Sequence, residues 1–111
     1  MERKGPHNRR GKRRLRIIKE LVSSRQYQYS KKVQNFIEAG DFDLVDMERC
    51  ILSATVIEKV ESDDLGTAID GCKYTITGVD TQGVTFYTCG KLIRNADAQT
   101  LYFFITAHEQ E

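Results

Sequence analysis

Residues 73–89 read KYTITGVDTQGVTFYTC. Two runs rich in Thr, Tyr, Val and Phe alternate with a period of two on either side of DTQG, Asp80 to Gly83, which is turn chemistry, so the stretch predicts a β-hairpin. Downstream, LYFFITAH at 101–108 has the same character and follows a short polar connection, RNADAQ, suited to an antiparallel neighbour. Upstream, TVIEKV at 55–60 supplies another strand. Between that strand and the hairpin lies ESDDLGTAIDG, a loop by composition. Its adjacent Asp63 and Asp64 are of the type that can hold a cation, but two neighbouring loop carboxylates are ordinarily solvated, and no metal site is expected. In the last strand, alternation puts Tyr102, Phe104, Thr106 and His108 on one face and Leu101, Phe103, Ile105 and Ala107 on the other. The second set reads as core, leaving His108 at the exposed end of a polar face.

Ahead of the strands the period is helical. In KRRLRIIKELVS, Lys12 to Ser23, the residues Leu15, Ile18 and Val22 form one stripe, widened by Ile17 and Leu21, while Lys12, Arg16 and Lys19 line another side. That is a basic amphipathic helix. Ser30 is a cap for KKVQNFIEA, with Val33, Phe36 and Ile37 on one face and Gly40 as its stop. Asp43 caps LVDMERCIL, in which Leu44, Met47 and Ile51 repeat on one face; Asp46 and Glu48 sit toward its N-terminal half, where the helix dipole favours anions, and read as structural carboxylates. The expected fold is α+β: three N-terminal helices, then a four-stranded, mostly antiparallel sheet with helices on one face. Tyr27 and Tyr29, among basic residues in RQYQYS, suit stacking on single-stranded bases, and the same alternation suits a short edge strand.

The chain has 111 residues, 40% of them hydrophobic and 30% charged, which fits one domain. Its net charge of +1 conceals a division: through Lys32 there are twelve Lys and Arg against Glu2 and Glu20, a net +10, and the remainder carries −9. Such asymmetry fits a basic surface meant for a polyanion or for an acidic protein. Residues 1–11, MERKGPHNRRG, lack apolar periodicity and are expected to form a mobile basic arm, with residues 12–111 as a single α+β domain. No apolar run approaches the roughly 18 residues needed to span a bilayer, and the N-terminus lacks the apolar core of a signal peptide, so a cytoplasmic location is expected. Cys50, Cys72 and Cys89 are odd in number and include no C-x-x-C, which argues for reduced fillers rather than disulfides or zinc ligands. No Gly-rich phosphate loop, H-E-x-x-H or defensible Ser-His-Asp order is present, and no cofactor is expected.

From Tyr29 to Glu109 the order of YSKKVQNFIEAGDFDLVDMERCIL, VIEKVESDDLG, KYTITGVDTQGVTFYTCGKLI and LYFFITAHE resembles the bacterial domain of unknown function family 4258, small proteins akin to the RelE-like toxin superfamily. The shared features are a Ser-initiated helix, an Asp-initiated second helix leading into a V-I-E strand, a Gly turn into the hairpin, and a closing I-T-A strand. The chain departs from the family where its helix usually begins Ser-x-His: that position is Lys32, and the following Arg positions fall near Phe36 and Gly40. Upstream, ERKGPHNRR followed by IIKELVSSRQY is similar to the start of the motility quorum-sensing regulator type mRNA interferase. The two resemblances imply a RelE-like domain directed at RNA, paired in such systems with an antitoxin, and in active members a metal-independent endoribonuclease working through 2′-hydroxyl attack on the adjacent phosphate.

That reaction needs a base, an acid and a donor for the phosphorane. The candidates are Lys32, Arg94 and His108, with Lys91 as a second phosphate clamp beside Arg94; a Lys at the family's His position supplies charge to a phosphate but is a poor base near neutrality. Phosphate contacts fall to Arg9, Arg10, Lys12, Arg13, Arg14, Arg16 and Lys19. The competing expectation is a non-catalytic interaction module whose basic helix binds an acidic partner protein or nucleic acid. The oligomeric state is left open by the sequence.

Overall fold

The computed structural model describes residues 10–109. The elements are α1 (Arg10–Ser23), β1 (Tyr27–Tyr29), α2 (Lys31–Glu38), α3 (Leu44–Ser53), β2 (Lys59–Ser62), β3 (Cys72–Val79), β4 (Thr85–Arg94) and β5 (Thr100–Glu109). The fold is α+β. Of the expected basic arm, Arg10 and Gly11 already belong to the first turn of α1, and the rest lies outside the described residues.

The sheet has five strands, in the order β1-β5-β4-β3-β2, and it is mixed rather than wholly antiparallel. The hairpin holds as read: Asp80 closes it by accepting the N–H groups of Gln82 and Val84 on one carboxylate oxygen, at 2.8 and 2.9 Å. The additional strand is β1, which runs parallel to β5 with Tyr27 opposite Tyr102 and Tyr29 opposite Phe104. It is the short edge strand that the alternation in RQYQYS suits, and it stands at the margin of the sheet; its parallel pairing is what periodicity does not announce. It follows α1 closely because Arg25, two residues past the end of that helix, stands in the left-handed region (φ 63°) and turns the chain back along β5. There Ser30 N–H donates to Phe104 C=O and Tyr102 N–H to Gln26 C=O. The expected strand at 55–60 is displaced: pairing begins at Lys59, and Ile57 is buried in the core cluster ahead of it.

All three helices contact the same sheet or one another: α3 lies over β3 and β4, α2 on β5, and α1 on α3 and β5. Between them are Leu15, Ile18 and Val22 of α1, Val33 of α2, Met47, Cys50 and Ile51 of α3, and Tyr74, Ile76, Phe86, Tyr102, Phe104 and Ala107 of the sheet. This corrects the expected core face of β5. Tyr102 and Phe104 are fully buried beneath the helices, whereas Phe103 and Ile105 are only half-buried. The cause is a register shift. Cys89 pairs with Thr106 but Gly90 with Phe104, so Ile105 is an extra residue and the alternation changes face at that point. Ala107 thereby joins Tyr102 and Phe104 on the helix side, and Thr106 and His108 face away.

The Tyr102 hydroxyl is buried with no hydrogen-bond partner among the described residues. An unsatisfied buried hydroxyl costs about 1–3 kcal/mol. Tyr102→Phe is therefore expected to stabilise the fold by about 1 kcal/mol, read as a rise in the urea midpoint at unchanged slope; a loss of stability would mean that the hydroxyl has a partner.

Candidate functional site

The basic residues of α1 divide into two groups. Arg14 turns inward, where its guanidinium donates to the Asp70 carboxylate and, at 2.6 Å, to the Tyr74 hydroxyl. The Tyr74 hydroxyl donates to the same carboxylate. Burial pushes the Tyr74 phenol up to about 12, although the neighbouring Arg14 pulls it down. Arg14 thus ties α1 to the loop before β3 and is committed to the fold rather than to a phosphate. Lys19 reaches α3, donating to Leu52 C=O at 3.2 Å near that helix's C-terminal end, where a cation is favoured. Lys12, Arg13 and Arg16 are exposed and have no carboxylate within ion-pair distance among the described residues. Arg10 contributes its backbone to α1, and Arg9 lies outside the described residues.

The expected trio Lys32, Arg94 and His108 does not converge. Arg94 pairs with Thr100, whereas His108 pairs with Tyr87, at opposite ends of the β4–β5 ladder. Seven residues of strand separate Arg94 from Tyr87, roughly 23 Å at about 3.3 Å per residue. Lys32 is exposed in the first turn of α2. Lys91 is not a clamp: its ammonium is buried against Asp63, at 3.3 Å from each carboxylate oxygen. Asp63, considered as half of a cation site, therefore holds the chain's own cation, and it also accepts the N–H groups of Thr67 and Ala68. The described residues contain no group of three or more His, Cys, Asp or Glu placed to bind a metal.

The structure instead gathers side chains on the helix-free face of the sheet. Tyr87 and His108 are cross-strand partners with ring centroids 5.3 Å apart and planes inclined by 36°. Beside them is a shallow depression of about 220 Å³ lined by Thr75, Cys89 and Thr106 as well as the two rings. Lys73, two residues before Thr75 on β3, shares this face. Burial pushes the Cys89 thiol up, with Lys73 pulling it down. Cys50, inside the core with its thiol donating to Phe86 C=O at 3.2 Å, is raised by burial to about 11. Tyr27 is not free to stack: its hydroxyl donates to Glu48, and its ring meets Phe104 edge-on at 5.3 Å.

Of these, the sequence places Thr106 and His108 together on the polar face of the last strand; Thr75 and Cys89 carry no site signal of their own, although hairpin alternation puts them on one face with Tyr87. The described residues thus form an α+β fold of three helices on one side of a five-stranded mixed sheet, with an open face carrying two rings and two hydroxyls. No family model, curated protein or solved structure matches it. No helix among the described residues is long and apolar enough to cross a membrane.

Proposed function

We propose that this chain is an RNA-directed binding module of RelE-like toxin descent that holds single-stranded RNA without cutting it. The observation that carries the reading is the Tyr87–His108 ring pair on the helix-free sheet face, beside hydroxyl groups, with Lys73 farther along the same face. An aromatic ring on an open sheet accepts the face of any base, which gives sequence-tolerant binding worth about 1–3 kcal/mol per stacked base. Thr75 and Thr106 can donate to or accept from a base edge or a 2′-hydroxyl, and Lys73 supplies charge for a phosphate. Cleavage would need base, acid and phosphorane donor within hydrogen-bond reach of one phosphate. The separation of Arg94 from His108 along one ladder does not meet that requirement.

The test is a long labelled RNA incubated with the protein at low salt, beside a Lys32→Ala, Arg94→Ala, His108→Ala variant, together with titration of a short uridine-rich strand. Intact RNA in both lanes is expected, with binding that weakens with salt at a log-log slope of roughly −0.7 per phosphate contact. Tyr87→Ala, at a half-exposed position, should weaken binding about tenfold, within the stacking range. Discrete cuts by the wild type that vanish in the variant would make the protein a ribonuclease. Equal binding by wild type and Tyr87→Ala would remove the stacking site.

A further inference from the structure

Away from the open sheet face, α1 and α3 lie side by side and leave a surface that the RNA reading does not use. On α1, Lys12, Arg16, Lys19 and Ser23 recur at helical spacing along one line; on α3, Val45, Arg49 and Leu52 do the same, and Val56 follows just past the helix end. Lys12 shares a depression of about 250 Å³ with Val56. Arg16 and Lys19 share one of about 400 Å³ with Leu52, and Leu52 in turn shares one of about 370 Å³ with Val45 and Arg49. The second and third meet at Leu52, the third running on over α3, and the first lies one helical turn back along α1, at Lys12. The line from Lys12 to Ser23 is roughly 17 Å long at 1.5 Å per residue, or about three helical turns.

The floor of this groove is apolar and exposed: Val45 is 52% accessible, Leu52 44% and Val56 60%. Its rim is mainly cationic. Lys12, Arg16, Lys19 and Arg49 border it, against Glu20 and Glu58, while Glu48 at one end is occupied by the Tyr27 hydroxyl and by Arg25 at 4.0 Å. A nucleic-acid backbone gains nothing from three aliphatic side chains. An amphipathic helix with acidic flanks gains from both the floor and the rim.

We propose that the α1–α3 groove docks an acidic amphipathic helix of a partner protein, independently of RNA binding on the sheet. Apolar residues at i, i+3 or i+4, and i+7 of that helix cover Val45, Leu52 and Val56, and its Glu and Asp side chains meet Arg49, Arg16 and Lys12. The partner thus reads the basic half of the chain that the sheet face leaves free.

The experiment uses the full chain, isotope-labelled for NMR, with a synthetic 18-residue peptide bearing Leu on one helical face and Glu on the flanks. A scrambled peptide of equal composition and the uridine-rich RNA serve as comparisons. The expected result is saturable binding of the amphipathic peptide with shifts at Val45, Leu52, Val56 and Arg16. Leu52→Asp should weaken it about tenfold, as for a central apolar anchor, and Arg16→Glu with Arg49→Glu should weaken it further. All three positions are exposed or rim positions, and unchanged dispersion of the remaining resonances verifies the fold. Equal binding of the scrambled peptide would overturn the proposal by reducing it to charge alone. It would equally be overturned by RNA shifting these same residues in competition with the peptide, or by self-association of the free chain that buries Leu52.

Discussion

Lys91→Ala is expected to remove about 3 kcal/mol or more of folding stability, the scale for leaving half of a buried ion pair in place. The Lys91 side chain is 5% accessible and that of its partner Asp63 is 1%. Lys91 comes from β4 and Asp63 from the loop after β2, so the pair fastens the 63–71 loop against the helix-free side of the sheet. The same carboxylate collects the N–H groups of Thr67 at 2.9 Å and Ala68 at 2.8 Å, so it shapes the loop as well as anchoring it. Without the ammonium, a carboxylate remains buried with no counter-charge. Lys91→Met combined with Asp63→Asn removes both charges and should recover most of the loss, because a buried pair is worth little more than an apolar replacement even when half of it is costly. Urea titrations of the two variants check this; a loss below about 1 kcal/mol for the single substitution, within the surface-pair range, would contradict it.

The pair also sets a pH dependence. Burial opposes ionisation of Asp63, but the Ala68 N–H, the Lys91 ammonium and the Thr67 N–H together outweigh it and hold the carboxyl below its usual range. A carboxyl depressed in the folded state contributes stability that is fully present above its unfolded value, near 4, and is lost as pH falls from there through the folded value. The urea midpoint of the wild type should therefore fall more steeply below about pH 4 than that of the doubly neutral variant.

What could be read from the sequence was local. Ser30 caps α2 as its position promised, its hydroxyl accepting the Val33 N–H at 3.2 Å, and Gly40 stands in the left-handed region (φ 83°) just past that helix. Asp43 and Asp46 exchange backbone N–H bonds in a capping box at α3, and Asp46 further accepts from Thr81. The caps depend on neighbours a few positions away, whereas the Thr81 contact to Asp46 spans 35 positions and was not legible. What could not be read depends on contacts made across the chain. The parallel pairing of β1 with β5 exists only once Tyr27 meets Tyr102, 75 positions later. The bulge at Ile105 is a property of two strands in register, so a strict period of two assigned the wrong core face. Arg14 and Lys91 carry nothing in their own surroundings to mark them as partners of Asp70 and Asp63. The same blindness dispersed the expected site, since Arg94 and His108 lie on adjacent strands and yet at opposite ends of them.

Gly78→Ala is expected to destabilise the fold by about 1–3 kcal/mol, the cost of overpacking a filled interface. Propensity alone predicts the opposite sign, because alanine is better than glycine inside a strand by roughly 0.5–1 kcal/mol and Gly78 does not occupy a left-handed conformation. The contact with α3 decides it. A Cβ on Gly78 would stand 2.6 Å from Ser53 Oγ and 2.9 Å from the carbonyl carbon of Cys50, and closer still to that carbonyl's oxygen. The obstacle is mainly helix backbone, which cannot swing aside as a side chain would. Nor can α3 easily retreat: Ser53 Oγ accepts the Val79 N–H at 3.0 Å, the Cys50 thiol donates to Phe86 C=O, and Met47, Cys50 and Ile51 fill the space beneath. Thermal unfolding should show a drop of several degrees, at about 4–8 °C per kcal/mol for a domain of this size. Because α3 also forms the floor of the proposed groove through Val45 and Leu52, the same substitution should weaken the acidic peptide, while RNA held on the far side of the sheet is less affected. A rise in stability would mean that α3 stands farther from β3 than Gly78 permits, and the groove would then have to be redrawn.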